Sequence, residues 1–133
     1  LAIEEAKKSK DSDKYYVGAV IVKNEKVVSK AYSDEKKDKG HAEELALKTI
    51  NGNISGATMY VTMEPCSKRS SGKDSCSDLI IKSGIKRVVY GVRDPQITVK
   101  CNGIEKLVEA EIEVMHLKEL EQECKEITPA IFK

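Results

Sequence analysis

Apolar residues follow two rhythms along this chain, and each change of rhythm marks an element. Leu1, Ile3 and Ala6 recur at helical spacing among glutamates and lysines, and that pattern breaks over residues 9–13. Residues 16–22 (YVGAVIV) are continuously apolar and β-branched, as a strand buried on both faces requires. After Asn24-Glu25, which reads as a hairpin tip, residues 26–32 (KVVSKAY) predict a returning strand. The charged run 33–39 (SDEKKDK) is a solvated connection that delivers the chain to Gly40.

From there helix and strand alternate. Ala42, Leu45, Ala46, Thr49 and Ile50 predict a helix that begins at His41 and stops at Asn51-Gly52. Residues 57–63 (ATMYVTM) predict a third strand, ended by Glu64-Pro65-Cys66 because proline cannot donate to a ladder. Asp74-Ser75 offer caps for a helix that opens at Cys76 and closes at Ser83-Gly84. A fourth strand is expected over 85–90, a loop over 91–95 and a helix over 103–110. A fifth strand over 112–115 and a closing helix over 117–127 complete the chain. The segments after the third and fourth strands are long enough for crossover helices, so strands three to five should run parallel in an α/β sandwich with one mixed five-stranded sheet. Ligands in such sheets collect at the carboxyl ends of the strands.

Composition narrows the partners. The 133 residues suit one domain, spanning 1–133. A net charge of +1 carries no field that would argue for nucleic acid or an anionic membrane, and no run approaches the roughly 18 apolar residues of a membrane span. With no secretory leader, the chain reads as cytoplasmic, and its four cysteines (Cys66, Cys76, Cys101, Cys124) need not form disulfides. Leu1 in place of an initiating methionine points to a processed chain or a domain cut from a longer protein.

The candidate chemistry lies in Gly40-His41-Ala42-Glu43, Met63-Glu64-Pro65-Cys66 and Cys76. Helical residues two apart point about 200° from each other, so His41 and Glu43 can share a target only from a helix's first turn. Two helix entrances, at His41 and Cys76, would lower thiol pKa values and favour the thiolates that zinc takes. His41, Cys66 and Cys76 then make three ligands of a Zn2+ site with one position left for water, and Glu43 is the proton shuttle. Cys101, Cys124 and His116 fall outside the pattern and read as structural.

These residues match the H-x-E … P-C … C signature of zinc-dependent nucleobase deaminases, with a departure: nine residues separate the cysteines where the usual form has two. The lengthened segment resembles that of the riboflavin-biosynthesis pyrimidine deaminases. The likeness extends through Val17-Gly18-Ala19-Val20-Ile21-Val22, residues 56–67, Asp94-Pro95 and Gly103-Ile104. Cys66-Ser67, Arg69 and Ser71-Gly72 are closer to the fungal type, which acts on a ribitylamino substrate. The histidine that the bacterial branch commonly carries in this loop, and its Asn-Pro pair before the first strand, are absent.

The resemblance implies a three-layer α/β/α cytidine deaminase-like sandwich, a homodimer, and deamination of a 2,5-diamino-6-(ribitylamino or ribosylamino)-pyrimidinone 5′-phosphate. It makes Lys68, Arg69 and Lys73 candidates for the phosphate, with Asp94 and Ser71 as further substrate contacts, although a merely solvated basic loop stays open. Two other readings remain: a deaminase of a dCMP-like nucleotide or of a tRNA base, and a non-catalytic zinc-binding interaction module in which Glu43 is only a helix-start acid.

Overall fold

The computed structural model of the chain describes residue 3 and residues 17–32, 42–48, 54–63, 76–92 and 103–127. Strands β1 (Gly18–Lys23) and β2 (Lys26–Tyr32) form a hairpin, followed by α1 (Ala42–Lys48) and β3 (Thr58–Met63). Next come α2 (Cys76–Ser83), β4 (Arg87–Val92), α3 (Gly103–Glu109), β5 (Glu113–His116), a 3-10 turn (Lys118–Leu120) and α4 (Glu121–Ile127). Of the expected first helix only Ile3, which is helical, is among the described residues.

The sheet has the order β2-β1-β3-β4-β5. β1 is antiparallel to both β2 and β3, while β3, β4 and β5 run parallel, as the crossover lengths require. The hairpin turns on Asn24 and Glu25, both with positive φ (52° and 64°). Two such residues form the two-residue turn whose twist matches the strands it joins. A bulge between Ile21 and Val22 shifts the register, so that Ile21 pairs with Ser29 and Val22 with Val27.

Consecutive residues Ala19, Val20 and Ile21 are 0%, 1% and 0% exposed, so β1 is buried on both faces. One face carries Ala19, Ile21, Met59, Val61 and Val88, and packs in a core with Ala46 of α1, Ile80 of α2 and Leu107 of α3. Cys124 of α4 lies against the other face at Gly91. The described elements thus form three layers. Gly84, with φ of 89°, ends α2 in the left-handed conformation that a glycine adopts without a steric penalty.

Most strand boundaries shift by a residue or two from the expected ones, and two differences bear on the packing. β4 continues through Gly91 and Val92, and Val92 still pairs with Met63, where a glycine-led loop was expected from residue 91. The reason is packing: Gly91 is where α4 presses on the sheet. A β-carbon there would overlap Sγ of Cys124 and come within 3.0 Å of the Thr62 carbonyl. The closing helix also starts later, at Glu121, its first turn being the 3-10 segment.

Gly91→Ala should therefore destabilise the fold by about 1–3 kcal/mol through overpacking, measured by urea unfolding. Cys124→Ala should return part of the loss in the double variant. A Gly91→Ala protein as stable as the parent would refute the close approach of α4 to β4.

Candidate active site

Four chain ends define the site. Because α2 crosses from the end of β3 to the start of β4, its first residue, Cys76, belongs to the carboxyl edge of those strands. The α1 helix leads back toward the start of β3, so its first turn lies at that same edge. β3 ends at Met63, three residues before Cys66 in sequence, and β4 ends at Val92, two before Asp94. Met63 and Val92 are partners in the parallel ladder.

Glu43 occupies the first turn of α1, where the helix dipole favours a carboxylate. It is 4% exposed. A carboxylate is rarely buried to that degree without partners, and Glu43 makes polar contacts. The α1 helix packs on β1, β2 and α2, which brings the helix carrying Glu43 against the helix that Cys76 opens. Of the expected site residues, Glu43 is described fully and Cys76 as the first residue of α2. His41, Cys66, Lys68, Arg69, Ser71, Lys73 and Asp94 lie outside the described residues. Among the described residues no three His, Cys, Asp or Glu side chains converge.

The α2 helix is fixed just beyond Cys76. Ser77 is fully buried and its hydroxyl lies 3.5 Å from the Gly103 carbonyl at the start of α3. Asp78 pairs with Lys106 of α3 at 2.7 Å. Both groups of that pair are about one-third exposed, which holds its contribution to a fraction of a kcal/mol up to about 1 kcal/mol. The edge strand β2 reaches α1 through Ser29, whose hydroxyl donates to the Ala46 carbonyl at 2.7 Å. Sequence reading passed over Ser29. Its one signal is a small polar residue within a strand, which leaves open the face it takes.

In sequence, His41 precedes α1 by one residue, Cys66 follows β3 by three and Cys76 opens α2; one imidazole and two thiols are donors that zinc takes. His116 and Cys124 are placed elsewhere. The His116 ring stacks on Tyr90 with centroids 4.8 Å apart, and its Nε2 is 2.9 Å from the Gly91 carbonyl and 3.4 Å from Glu121. Cys124 is buried under α4, and burial, with Glu123 and Glu121 adding to it, pushes its thiol up to about 11. Such a thiol stays protonated at neutral pH and is a poor metal ligand. It borders a cavity of about 400 Å³ together with Val20, Tyr60 and Val89. That cavity opens on the sheet face away from α1.

Residues 1–92 match the model of the cytidine and deoxycytidylate deaminase zinc-binding region. Over 129 residues the chain is 46% identical to the diaminohydroxyphosphoribosylamino-pyrimidine deaminase of Schizosaccharomyces pombe, covering 92% of this chain and 32% of that protein. It is 44% identical to the riboflavin biosynthesis protein RibD of Aquifex aeolicus, covering 87% of this chain and 32% of that protein. The chain thus spans about a third of the length of these curated relatives. Among solved structures it resembles a diaminohydroxyphosphoribosylaminopyrimidine deaminase/5-amino-6-(5-phosphoribosylamino)uracil reductase of Thermotoga maritima. The TM-score is 0.89 and the identity 38%, over 98% of this chain and 38% of that one.

The raised Cys124 pKa sets a pH dependence. The folded state holds the proton more tightly than the unfolded state, so the associated stability is present below about 9 and lost as pH rises through about 11. Unfolding free energy measured from pH 8 to pH 11 should fall less steeply in Cys124→Ala than in the parent. Parallel curves for the two proteins would contradict a buried, protonated thiol.

Proposed function

The chain belongs to the cytidine and deoxycytidylate deaminase zinc-binding family, and from that membership we propose that it hydrolytically deaminates a pyrimidine of riboflavin biosynthesis. The substrate is a 2,5-diamino-6-(ribitylamino)-pyrimidin-4-one 5′-phosphate in preference to the ribosylamino form. The observation that carries the assignment is the 46% identity to the S. pombe deaminase across 92% of this chain. The fungal-type run Cys66-Ser67, Arg69, Ser71-Gly72 favours the ribitylamino form.

In this reading His41, Cys66 and Cys76 hold zinc. The metal, when bound, supplies the Lewis acidity that makes a water proton labile at neutral pH. Glu43 takes that proton on a carboxylate oxygen and passes it to a ring nitrogen next to the carbon bearing the 2-amino group. The water oxygen becomes bonded to that carbon; Glu43 then takes the second proton, from the new hydroxyl, and gives it to the exocyclic nitrogen, whose bond to carbon breaks to release ammonia. The product carries a carbonyl where the amine stood. Burial of Glu43 keeps its proton from exchanging with bulk water during the transfer. Lys68, Arg69 and Lys73 attract the substrate phosphate, and Ser71 and Asp94 contact its polar groups.

The domain occupies residues 1–133 and works as a cytoplasmic homodimer. Among the described residues no helix is long and apolar enough to cross a membrane.

Glu43→Gln should retain zinc yet lose at least about 100-fold in turnover, the scale of one general acid–base group. Ammonia release should be followed with the ribitylamino and ribosylamino phosphates, cytidine, dCMP and a tRNA. Release from dCMP or tRNA alone would sink the riboflavin assignment. Unchanged turnover in Glu43→Gln would remove the shuttle and favour a non-catalytic zinc module.

A further inference from the structure

The α1 helix has seven residues, about two turns. A helix so short is not stable by itself, so the sheet and its neighbours decide where it lies. Its described buried residues are Glu43 and Ala46, three apart and therefore on one face, 4% and 0% exposed. Half-buried Leu45 and Leu47 also pack against the core, but hydrophobic contact is non-directional and holds the helix on the sheet more firmly than it fixes its place along its axis. A hydrogen bond is directional and short-ranged.

The described structure supplies one at this point. Ser29, 8% exposed, donates its hydroxyl to the Ala46 carbonyl at 2.7 Å. That carbonyl lies in the last turn of α1, where helices take partners from outside their own ladder. Ser29 is itself held in register. It pairs with Ile21, Ile21 pairs with Met59 of β3, and Met59 pairs with Val88 of β4. A continuous path of backbone pairing thus runs from the parallel strands through β1 and β2 to the hydroxyl that grips α1.

We propose that Ser29 is a positioning residue. It fixes the axial place of α1 and, through it, sets Glu43 and the neighbouring His41 against the metal-binding cysteines. This rests on the deaminase reading above.

The test compares the parent with Ser29→Ala and with the isosteric pair Ser29→Thr and Ser29→Val, which differ from each other only in the hydroxyl. Zinc affinity is measured by competition with a chromophoric chelator, and kcat and KM by ammonia release, at a temperature where circular dichroism shows all variants folded. Ser29→Ala and Ser29→Val should bind zinc about tenfold more weakly, within the range seen when a ligand's supporting contact is removed. Their kcat should fall about tenfold with KM little changed, less than the about 100-fold that a 1 Å misplacement can cost. Ser29→Thr should restore both. Variants that lose only melting temperature, with parental zinc affinity and kcat, would show a structural cap and overturn the proposal, as would Ser29→Thr behaving like Ser29→Val. Should Ser29→Ala not fold, the threonine and valine pair decides. If the parent releases ammonia from no substrate, the deaminase reading fails, while the zinc comparison still decides the role of Ser29.

Discussion

The parallel pairing of β3 with β4 is the constraint from which the rest of the molecule follows. Parallel neighbours cannot be joined by a tight turn, so the chain must leave β3 at Met63, cross over as a helix and return to start β4. The helix that makes the crossing necessarily presents its first turn at the carboxyl edge of the sheet. Its first residue is Cys76. A fold chosen only for burying Met59, Val61 and Val88 would already place a helix entrance beside the ends of two strands, and this sequence puts a thiol there.

The second helix entrance is held by weaker means. β2 and β3, each antiparallel to β1, run parallel to each other, so α1 too is a crossover helix that enters at the carboxyl edge; its seven residues cannot hold themselves in shape, and its place along its own axis is left to packing. The Glu43 end of the helix has to be placed by contacts with β1, β2 and α2. Topology thus brings both helix entrances to one edge, and for α1 packing together with a buried hydroxyl contact sets the finer placement of Glu43.

Much of this was legible in the sequence because the relevant signals are periodic or local. β1 reads as a strand from unbroken apolarity, the Asn24-Glu25 tip from its place between two strands, and the parallel order from the lengths of the crossovers. Gly91 misled because a glycine after a strand reads as a turn, whereas here it is small so that Cys124 can approach the sheet. Ser29 was invisible for a related reason. A serine in a strand looks the same whether it faces water or a helix carbonyl, and only the bulge in β1–β2, set by tertiary pairing, decides which. The chemistry-bearing residues were legible as types and spacings. Of these, the structure adds the burial of Glu43 and the helix-opening place of Cys76.

The two faces of the sheet also divide the labour of the cysteines. Cys76 stands at the start of a helix, where the dipole favours a thiolate. Cys124 sits in the middle of α4 beneath Glu121 and Glu123, where burial and like charge keep its proton on. Its place in the fold, and not its residue type, thus sets the thiol of Cys124. The far face of the sheet, with its cavity of Val20, Tyr60 and Val89, is bordered by a protonated thiol, while a helix-opening cysteine stands at the strand ends.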